Sequence, residues 1–425
     1  MKILVIGSGG REHALVNKLA QEGHNVFAAP GNAGTSMIFG VENVPIEAND
    51  TYALRNFALE QKIDYTIVGP EEPLVRGIVN FFRASGLKIV GCTKEAAFLE
   101  GSKVKAYEFM VRHGIPTAPS KKFLRTEVAE AEEYIRGKGL PTVIKVDGLA
   151  AGKGVSVCHT MEEAQVALKK IGAGGFGEAG NEFLVSDFLR GEEASFIVCI
   201  DSKGHIKPWA SSQDHKAVFD GDKGPNTGGM GAYSSAPVVT LAVEEKVVEE
   251  IVKPLVEAMA KEGKPFSGIL YIGLMIDENG QPRVIEFNVR LGDPETQPLL
   301  ARLKTPLMHI FAAMLDGWLN EIELEWDPQV ALSVVMTNGG YPGDYKTGWV
   351  ISGIEEARAT GAIVDHAGTT RLGDMIMADG GRVVCVTALG EDFAEAQKNA
   401  YKAVEMIHWE GEYHRNDIGW RAVNR

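Results

Sequence analysis

Two short stretches hold most of the chemistry this sequence could perform. In RVIEFNVR (Arg283–Arg290), Glu286, Asn288 and Arg290 recur at every second residue. That spacing places them on one face of a strand, with Ile285, Phe287 and Val289 on the other. A carboxylate and an amide are hard oxygen donors, suited to a Mg²⁺ ion that also bridges phosphate oxygens. The Arg290 guanidinium is a fork for a carboxylate or a phosphate. The competing reading is an ordinary salt-bridged strand. In VIKVDGLAAGKGV (Val143–Val155), Lys145 stands in an otherwise apolar strand and Lys153 in a Gly-rich turn. An ammonium buried there without an anion is costly, so Lys145 is expected to meet one; a snorkelling edge lysine is the bland alternative.

The turn around Lys153 is not a P-loop. G-x-x-x-x-G-K-[ST] needs Ser or Thr after the lysine, and Gly154 is there; the step from Gly148 to Gly152 is also one residue short. What remains is a flap between two strands, VIKVDG entering and VSVCHT leaving. Its N–H groups and Lys153 can close over a triphosphate. A second Gly-rich turn, Gly7-Ser8-Gly9-Gly10-Arg11-Glu12, follows a strand and opens a helix. The dinucleotide fingerprint fails at Glu12, and strand two ends AAPGNAG without the acid a ribose needs. Structural glycines in a tight turn would explain it, but helix amides with Arg11 holding a lone phosphate or sugar phosphate is the better reading. Pro30–Gly34 and Gly69-Pro70-Glu71 share that sheet edge.

SQDHKAVFDGDKGPNTGGMGAY (Ser211–Tyr233) reads as a long polar loop, and loops of that length inside a domain usually carry function. Asp214, His215 and Lys216 are its titratable cluster; His215 is equally a base or a structural histidine. The chain has no GxSxG elbow, HExxH or Cys–His grouping, so covalent and zinc chemistries lack residues.

The elements that must position these groups are α/β. KILVIG, NVFAAP, DYTIVGP and LKIVG alternate with helical stretches, which implies a doubly wound parallel sheet. A compact α+β unit follows, then strands SFIVCID, ILYIGLMID and RVIEFNVR with a helix near LLARLKTPLMHIFAAML. The last unit has short strands (QVALSVVMT, RVVCVTAL) and one long amphipathic helix, EDFAEAQKNAYKAVEMI. At 425 residues the chain suggests two to four domains. Its 45% apolar and 24% charged content is globular, and a net charge of −14 argues against a nucleic-acid partner. The four scattered cysteines form no CxxC, which fits reduced cytoplasmic thiols. No apolar run approaches a membrane span, and the N-terminus reads as strand and turn rather than a signal peptide.

Taken together the motifs resemble the ATP-grasp superfamily and, within it, the phosphoribosylamine–glycine ligase (glycinamide ribonucleotide synthetase) family. The matching stretches run nearly end to end: GSGGREHAL, APGNAGT, TIVGPEEPLV, LEGSK, VIKVDGLAAGKGV, GEEASF, SQDHK, GPNTGGMGAY, IEFNVRLGDPETQP, GGYPGDY, HAGT and DIGWRA. The resemblance implies a substrate-binding α/β domain over 1–101, an ATP-grasp domain over 102–327 with a flap subdomain at about 120–192, and a mixed α/β domain over 328–425. It implies that ATP phosphorylates the glycine carboxylate and that the amine of 5-phosphoribosylamine attacks the glycyl phosphate, giving glycinamide ribonucleotide, ADP and phosphate, an early step of purine synthesis. ATP would be held by Lys103, Lys145, Gly152, Lys153, Gly154, Leu189 and Glu193, and Mg²⁺ or Mn²⁺ by Glu286 and Asn288. Gly9, Gly10, Arg11, Asp214 and Arg290 would meet substrate, with Lys145, Lys153, Arg290 and Asp214 in catalysis. A cytoplasmic monomer acting on small molecules is expected. The chain departs from the family where a Glu-Glu-Phe-Leu hinge reads Ser186-Asp187-Phe188-Leu189, which bears on nucleotide affinity and base selectivity. Tyr107 and Val289 stand where the family often has Lys and Cys. The rival functions are another ATP-grasp ligase, an NAD-dependent oxidoreductase and a non-catalytic nucleotide sensor.

Overall fold

The apolar run KILVIG becomes the central strand of a five-stranded parallel sheet, buried on both faces. β1 (Lys2–Gly7), β2 (Asn25–Pro30), β3 (Val41–Asn43), β4 (Tyr65–Val68) and β5 (Ile89–Val90) lie in the order β3-β2-β1-β4-β5. The computed structural model describes residues 1–149 and 154–425. The strand order reverses at β1, so β1 and β4 part at their carboxyl ends, where ligands bind in such sheets. Helix α1 (Gly10–Gln21) starts from that point, and Glu12 caps it by accepting the Gly9 N–H at 2.6 Å. The stretch after β4 forms two helices, Glu71–Arg76 and Ile78–Ala84, broken at Gly77, whose φ of +93° only glycine adopts freely.

A four-stranded antiparallel sheet follows: β6 (Ser120–Leu124), β7 (Thr142–Val146), β8 (Val155–Cys158) and β9 (Glu182–Asp187), in the order β6-β9-β7-β8. Helices Val128–Lys138 and Met161–Gly172 cover one face. Its core, built on Phe123, Ile144, Phe183 and Val185, is separate from the other cores. β10 (Glu192–Ile200) and β11 (Ile206–Pro208) come next. The expected long loop from Ser211 is instead partly stranded: β12 (Gln213–Asp214), the hairpin β13–β14 (Ala217–Phe219, Lys223–Asn226) and β15 (Gly231–Ser234). β16 (Gly268–Ile276) and β17 (Pro282–Asn288) complete an antiparallel sheet in the order β11-β10-β16-β17. Phe196, Val198, Leu270 and Phe287 of this sheet share one core with Leu4, Ile6 and Val68 of the parallel sheet. The apolar stretch Leu299–Leu315 is two helices, Thr296–Arg302 and Leu307–Asp316. Pro306 separates them because it cannot donate within a helix interior.

The last unit contains β18 (Val330–Asn338), β19 (Trp349–Val350), β20 (Ile363–His366), β21 (Thr369–Leu372), β22 (Met375–Ala378) and β23 (Arg382–Gly390). β18 and β23 run nine residues each, close to the expected QVALSVVMT and RVVCVTAL, and the helix Phe393–Val404 packs on them. β12 and β15 join this sheet, in the order β12-β15-β18-β23-β20. The SQDHK segment therefore bridges the central and C-terminal units.

The C-terminal run RNDIGWRA (Arg415–Ala422) locks this bridge. Arg415, fully buried, donates to Asp417, to Asp222 Oδ1 at 3.0 Å and to the Ala217 carbonyl at 3.0 Å. His215 Nε2 accepts the Gly419 N–H at 2.9 Å. That bond needs the neutral ring, and burial lowers the pKa of His215 accordingly. His215 is thus a structural histidine, which decides the open alternative. Arg415→Met strands Asp417, leaves Asp222 with Arg421 alone, and is expected to cost about 3 kcal/mol. The urea midpoint should fall at unchanged m-value; an unshifted midpoint would remove Arg415 from the lock.

Candidate active site

One cleft of about 760 Å³ opens where the parallel sheet's carboxyl edge, the flap sheet, β17 and the C-terminal unit meet. Its floor is the flap sheet. Val143 lies opposite Ser186 and Val157, and Lys145 opposite Leu184 and Val155. These five line the cleft with Lys145, while Ile144, Val146, Phe183 and Val185 point into the flap core. Strand alternation thus places Lys145 on the cleft, with the apolar residues around it as its walls. Glu286, Asn288 and Arg290 line the facing wall together. Ile285 departs from the expected apolar face. The register of β16 against β17 shifts there: Glu286 pairs with Gly273 and Val284 with Leu274. The extra residue of this bulge turns Ile285 to the cleft. Its carbonyl accepts Lys145 Nζ at 2.8 Å.

Lys103, Lys145 and Lys216 surround Glu286. Lys103 opens the helix Lys103–Arg112 and donates to the Gly148 carbonyl at 3.1 Å. Asp147 ties this helix to the flap base, accepting from Ser102 Oγ and the Val104 N–H. Burial pulls Lys145 below the ordinary lysine range and Lys103 adds to the pull, while Glu286 and Glu193 oppose it. Burial would raise Glu286, yet Lys216, Lys103, Lys145 and Arg290 hold it below the usual glutamate value. Glu193 is raised by burial and by Glu286 and Glu295, against Lys216. A polyanion arriving here would relieve the lysines' mutual repulsion and keep Lys145 charged. Glu286 and Asn288 are oxygen donors two residues apart on one wall, and Glu286 is held ionised, so the pair fits a hard divalent cation. Among the described residues no group of three or more His, Cys, Asp or Glu forms a metal site. The other ligands of such a cation would be phosphate oxygens and water.

The remaining expected residues divide. Gly154, Leu189 and Glu193 line the cleft; Gly152 and Lys153 lie outside the described residues. Asp214 does not reach the cleft. Both its carboxylate oxygens are buried, Lys216 Nζ stands 2.8 Å from Oδ2, and burial pushes its pKa up to about 7. Lys216 lines the cleft instead and is held charged, because Asp214, Tyr271, Glu295 and Glu193 outweigh its own burial. Arg290 reaches the cleft with its fork already engaged, by Glu71 Oε2 at 3.1 Å, Glu100 Oε1 at 2.9 Å and Asn288 Oδ1 at 3.2 Å. Gly9 and Arg11 line the cleft, yet Arg11 pairs with Glu12 and donates to the Leu291 carbonyl at 3.1 Å. Gly10 faces Gln297 rather than the cleft. The expected phosphate cradle is therefore ringed by carboxylates: Glu12, Glu71 and Asp293 all line this end.

Sequence reading singled out no role for Asp293, Tyr341 or Arg382. Arg382 Nη1 donates to the carbonyls of Gly228 and Asp293, and Tyr341 Oη accepts the Gly228 N–H at 3.1 Å. GDPETQ was a visible signal for Asp293. Tyr341 and Arg382 come from another unit; GGYPGDY was a visible signal for Tyr341, and no motif marks Arg382.

Glu71 and Glu100 share the Arg290 guanidinium with opposite results. Glu71 is held low by Arg290 and Arg11 against its burial, whereas burial pushes Glu100 up to about 7 despite Arg290. Glu100 thus binds its proton more tightly folded than unfolded. Its contribution to stability is full below about pH 4.5 and is lost as pH rises through about 7. Glu100→Gln keeps an acceptor for the Val289 N–H, bonded at 2.8 Å, and removes the proton. Its melting temperature should fall less steeply than the parent's over that window; parallel curves would contradict the assignment.

The phosphoribosylglycinamide synthetase N domain matches residues 1–100, its ATP-grasp (A) domain residues 101–296 and its C domain residues 331–421. Phosphoribosylamine–glycine ligase of Escherichia coli (strain K12) is 54% identical over 429 residues, covering 100% of this chain and 99% of that protein. The corresponding protein of Vibrio cholerae is 52% identical, again over 100% of this chain and 99% of its own length. The crystal structure of phosphoribosylamine–glycine ligase from Thermotoga maritima superposes with a TM-score of 0.83 at 32% identity, covering 98% of this chain and 100% of that one.

Proposed function

This chain belongs to the phosphoribosylglycinamide synthetase family, and from that premise we infer that its cleft joins glycine to 5-phosphoribosylamine with ATP, giving glycinamide ribonucleotide, ADP and phosphate in purine biosynthesis. Three lysines around the Glu286–Asn288 pair, over an apolar floor, carry the reading. The ATP-grasp arrangement supports it, with a flap sheet facing an antiparallel core sheet. The purine lies on the apolar floor, between Leu189 and Glu193 at one end and Lys145 at the other. Lys103, Lys145, Lys153 and the flap residues Gly152 and Gly154 take the phosphates. Mg²⁺ or Mn²⁺ held by Glu286 and Asn288 would neutralise phosphate charge. Phosphoryl transfer needs such positioning and neutralisation more than a protein base.

A glycine carboxylate oxygen attacks the γ-phosphorus, and ADP leaves. The amine of 5-phosphoribosylamine then attacks the acyl carbon, the acyl carbon–oxygen bond breaks, phosphate departs and one amine proton is lost. Lys216, anchored by Asp214, is the cation placed for the glycine carboxylate, and Asp214 acts through it. Arg290 holds Glu71 and Glu100 in place. With Asp293 they form an acidic end near Gly9, Gly10 and Arg11, suited to an amine and ribose hydroxyls. Flap closure excludes water, which would hydrolyse the acyl phosphate.

The units are taken as 1–101, 102–327 and 328–425. We place the protein in the cytoplasm as a monomer acting without nucleic acid. Its unpaired cysteines and net charge of −14 support that placement. Among the described residues no helix is long and apolar enough to cross a membrane. The test is ADP release with ATP, Mg²⁺ and glycine, with and without fresh 5-phosphoribosylamine. ADP should form only with both substrates, together with glycinamide ribonucleotide by mass. Product formed with another amine and not with this one would overturn the substrate assignment.

A further inference from the structure

The apolar floor of the cleft has one polar edge. Across the flap sheet, Ser120, Ser186, Val143 and Val157 stand side by side on four strands. The next row on the same face holds Lys122, Leu184, Lys145 and Val155, of which Lys122 lies outside the cleft. Two residues along a strand span about 7 Å, so the row of Ser186 and the row of Lys145 lie about a purine's width apart along the sheet, with Val143, Val155, Val157 and Leu184 as the apolar surface around them. A nucleotide with phosphates at Lys145 and its base on this surface presents the base's far edge to Ser186.

Ser186 Oγ lies 2.7 Å from Ser120 Oγ, and Ser120 Oγ lies 2.9 Å from the Ala118 carbonyl. The serines are held from behind. Tyr107 Oη donates to the Ser120 carbonyl at 2.8 Å and accepts the Ser120 N–H at 3.0 Å, and Thr142 Oγ1 donates to the Ser186 carbonyl at 2.9 Å. The oxygens are fixed, but the hydroxyl protons can turn, since a serine both donates and accepts. In one arrangement Ser120 donates to Ala118, Ser186 donates to Ser120, and Ser186 offers lone pairs to the cleft. In the other, Ser120 donates to Ser186, and Ser186 offers its proton to the cleft. The first suits an exocyclic amine and the second a carbonyl.

We propose that the Ser186–Ser120 hydroxyl pair reads the 6-position of the phosphoryl donor's purine and, by reversing its hydrogen bonds, admits a 6-oxopurine triphosphate as well as ATP. The inference rests on the ligase reading above. The test uses initial rates of the full chain with ATP and with inosine triphosphate, which changes the 6-position without adding a 2-amino group. Both are run with glycine and 5-phosphoribosylamine.

A site built around one fixed polar pattern rejects the mismatched analogue by about ten-thousandfold or more, whereas a tolerant one discriminates by about a hundredfold. The parent's kcat/KM should therefore favour ATP by less than about a thousandfold; a larger preference overturns the proposal. Ser186→Asp replaces a reversible group with an acceptor. It should lose at least about tenfold more with inosine triphosphate than with ATP, and an unchanged ratio overturns the proposal. Ser186→Ala keeps the test decisive if the Asp variant misfolds: kcat/KM should fall about tenfold with both nucleotides, and parental values overturn the proposal. Absence of turnover with ATP itself would count against the ligase reading, whereas turnover with ATP and rejection of inosine triphosphate counts against this inference alone.

Discussion

Lys145→Ala is expected to lower turnover at least about a hundredfold, the cost of removing one donor from developing charge in comparable sites. Two strands fix this ammonium. β7 aims it at the cleft between Val155 and Leu184, and the Ile285 carbonyl on the facing wall holds Nζ at 2.8 Å. Burial makes the charged form costly, so the bare protein gives up stability to keep it there. That cost separates function from folding. Lys145→Met, close in size and uncharged, should melt no earlier than the parent while losing the same turnover. Near-normal activity in either variant would remove Lys145 from the reaction. A melting temperature that fell in step with activity would make its role structural.

Glu286→Gln is expected to cost about a hundred- to a thousandfold, on the same scale of lost charge stabilisation. The substitution keeps size and an oxygen but removes the negative charge that Lys216, Lys103, Lys145 and Arg290 hold ionised. Two consequences distinguish it from Lys145→Ala. Half-maximal activity should need more divalent cation, and raising the cation should restore part of the rate. Lys145→Ala should show neither effect. Chelation should abolish the parent's activity. A Glu286→Gln enzyme with the parent's cation dependence would sink the assignment of this pair.

Much of the site was legible because strand alternation is local. KILVIG, VIKVDG and RVIEFNVR declared strands, period-two spacing put Glu286 and Asn288 on one face, and a lone lysine in an apolar strand marked Lys145; all three line the cleft. Ile285 was misplaced because a bulge adds one residue to a strand, and no pattern within RVIEFNVR marks it. Asp214 and Lys216 were read as one cluster. Which of two residues on one short stretch faces the cleft depends on Gly229, whose absent side chain leaves the space Asp214 occupies: a Cβ there would lie 2.7 Å from Asp214 Oδ1. Arg11 looked like a phosphate ligand because its loop opens a helix. Glu12, one residue on, takes both the guanidinium and the Gly9 amide. Gly7 and Gly69 make that possible, since a Cβ at either would collide with the Glu12 side chain. Arg382 carries no motif, and its place is set by the Gly228 and Asp293 carbonyls from another unit; Tyr341 lies in GGYPGDY, which gives no hint that its hydroxyl meets the Gly228 N–H.

Activation of glycine as an acyl phosphate precedes attack by the amine. Glycine labelled with ¹⁸O in both carboxylate oxygens tests it most directly, run with ATP and 5-phosphoribosylamine and read by mass of the phosphate and of the glycinamide ribonucleotide. One labelled oxygen should appear in each phosphate released and one should remain in each amide. Unlabelled phosphate alongside normal product would contradict it, because the acyl oxygen would then have left by a route other than a glycyl phosphate.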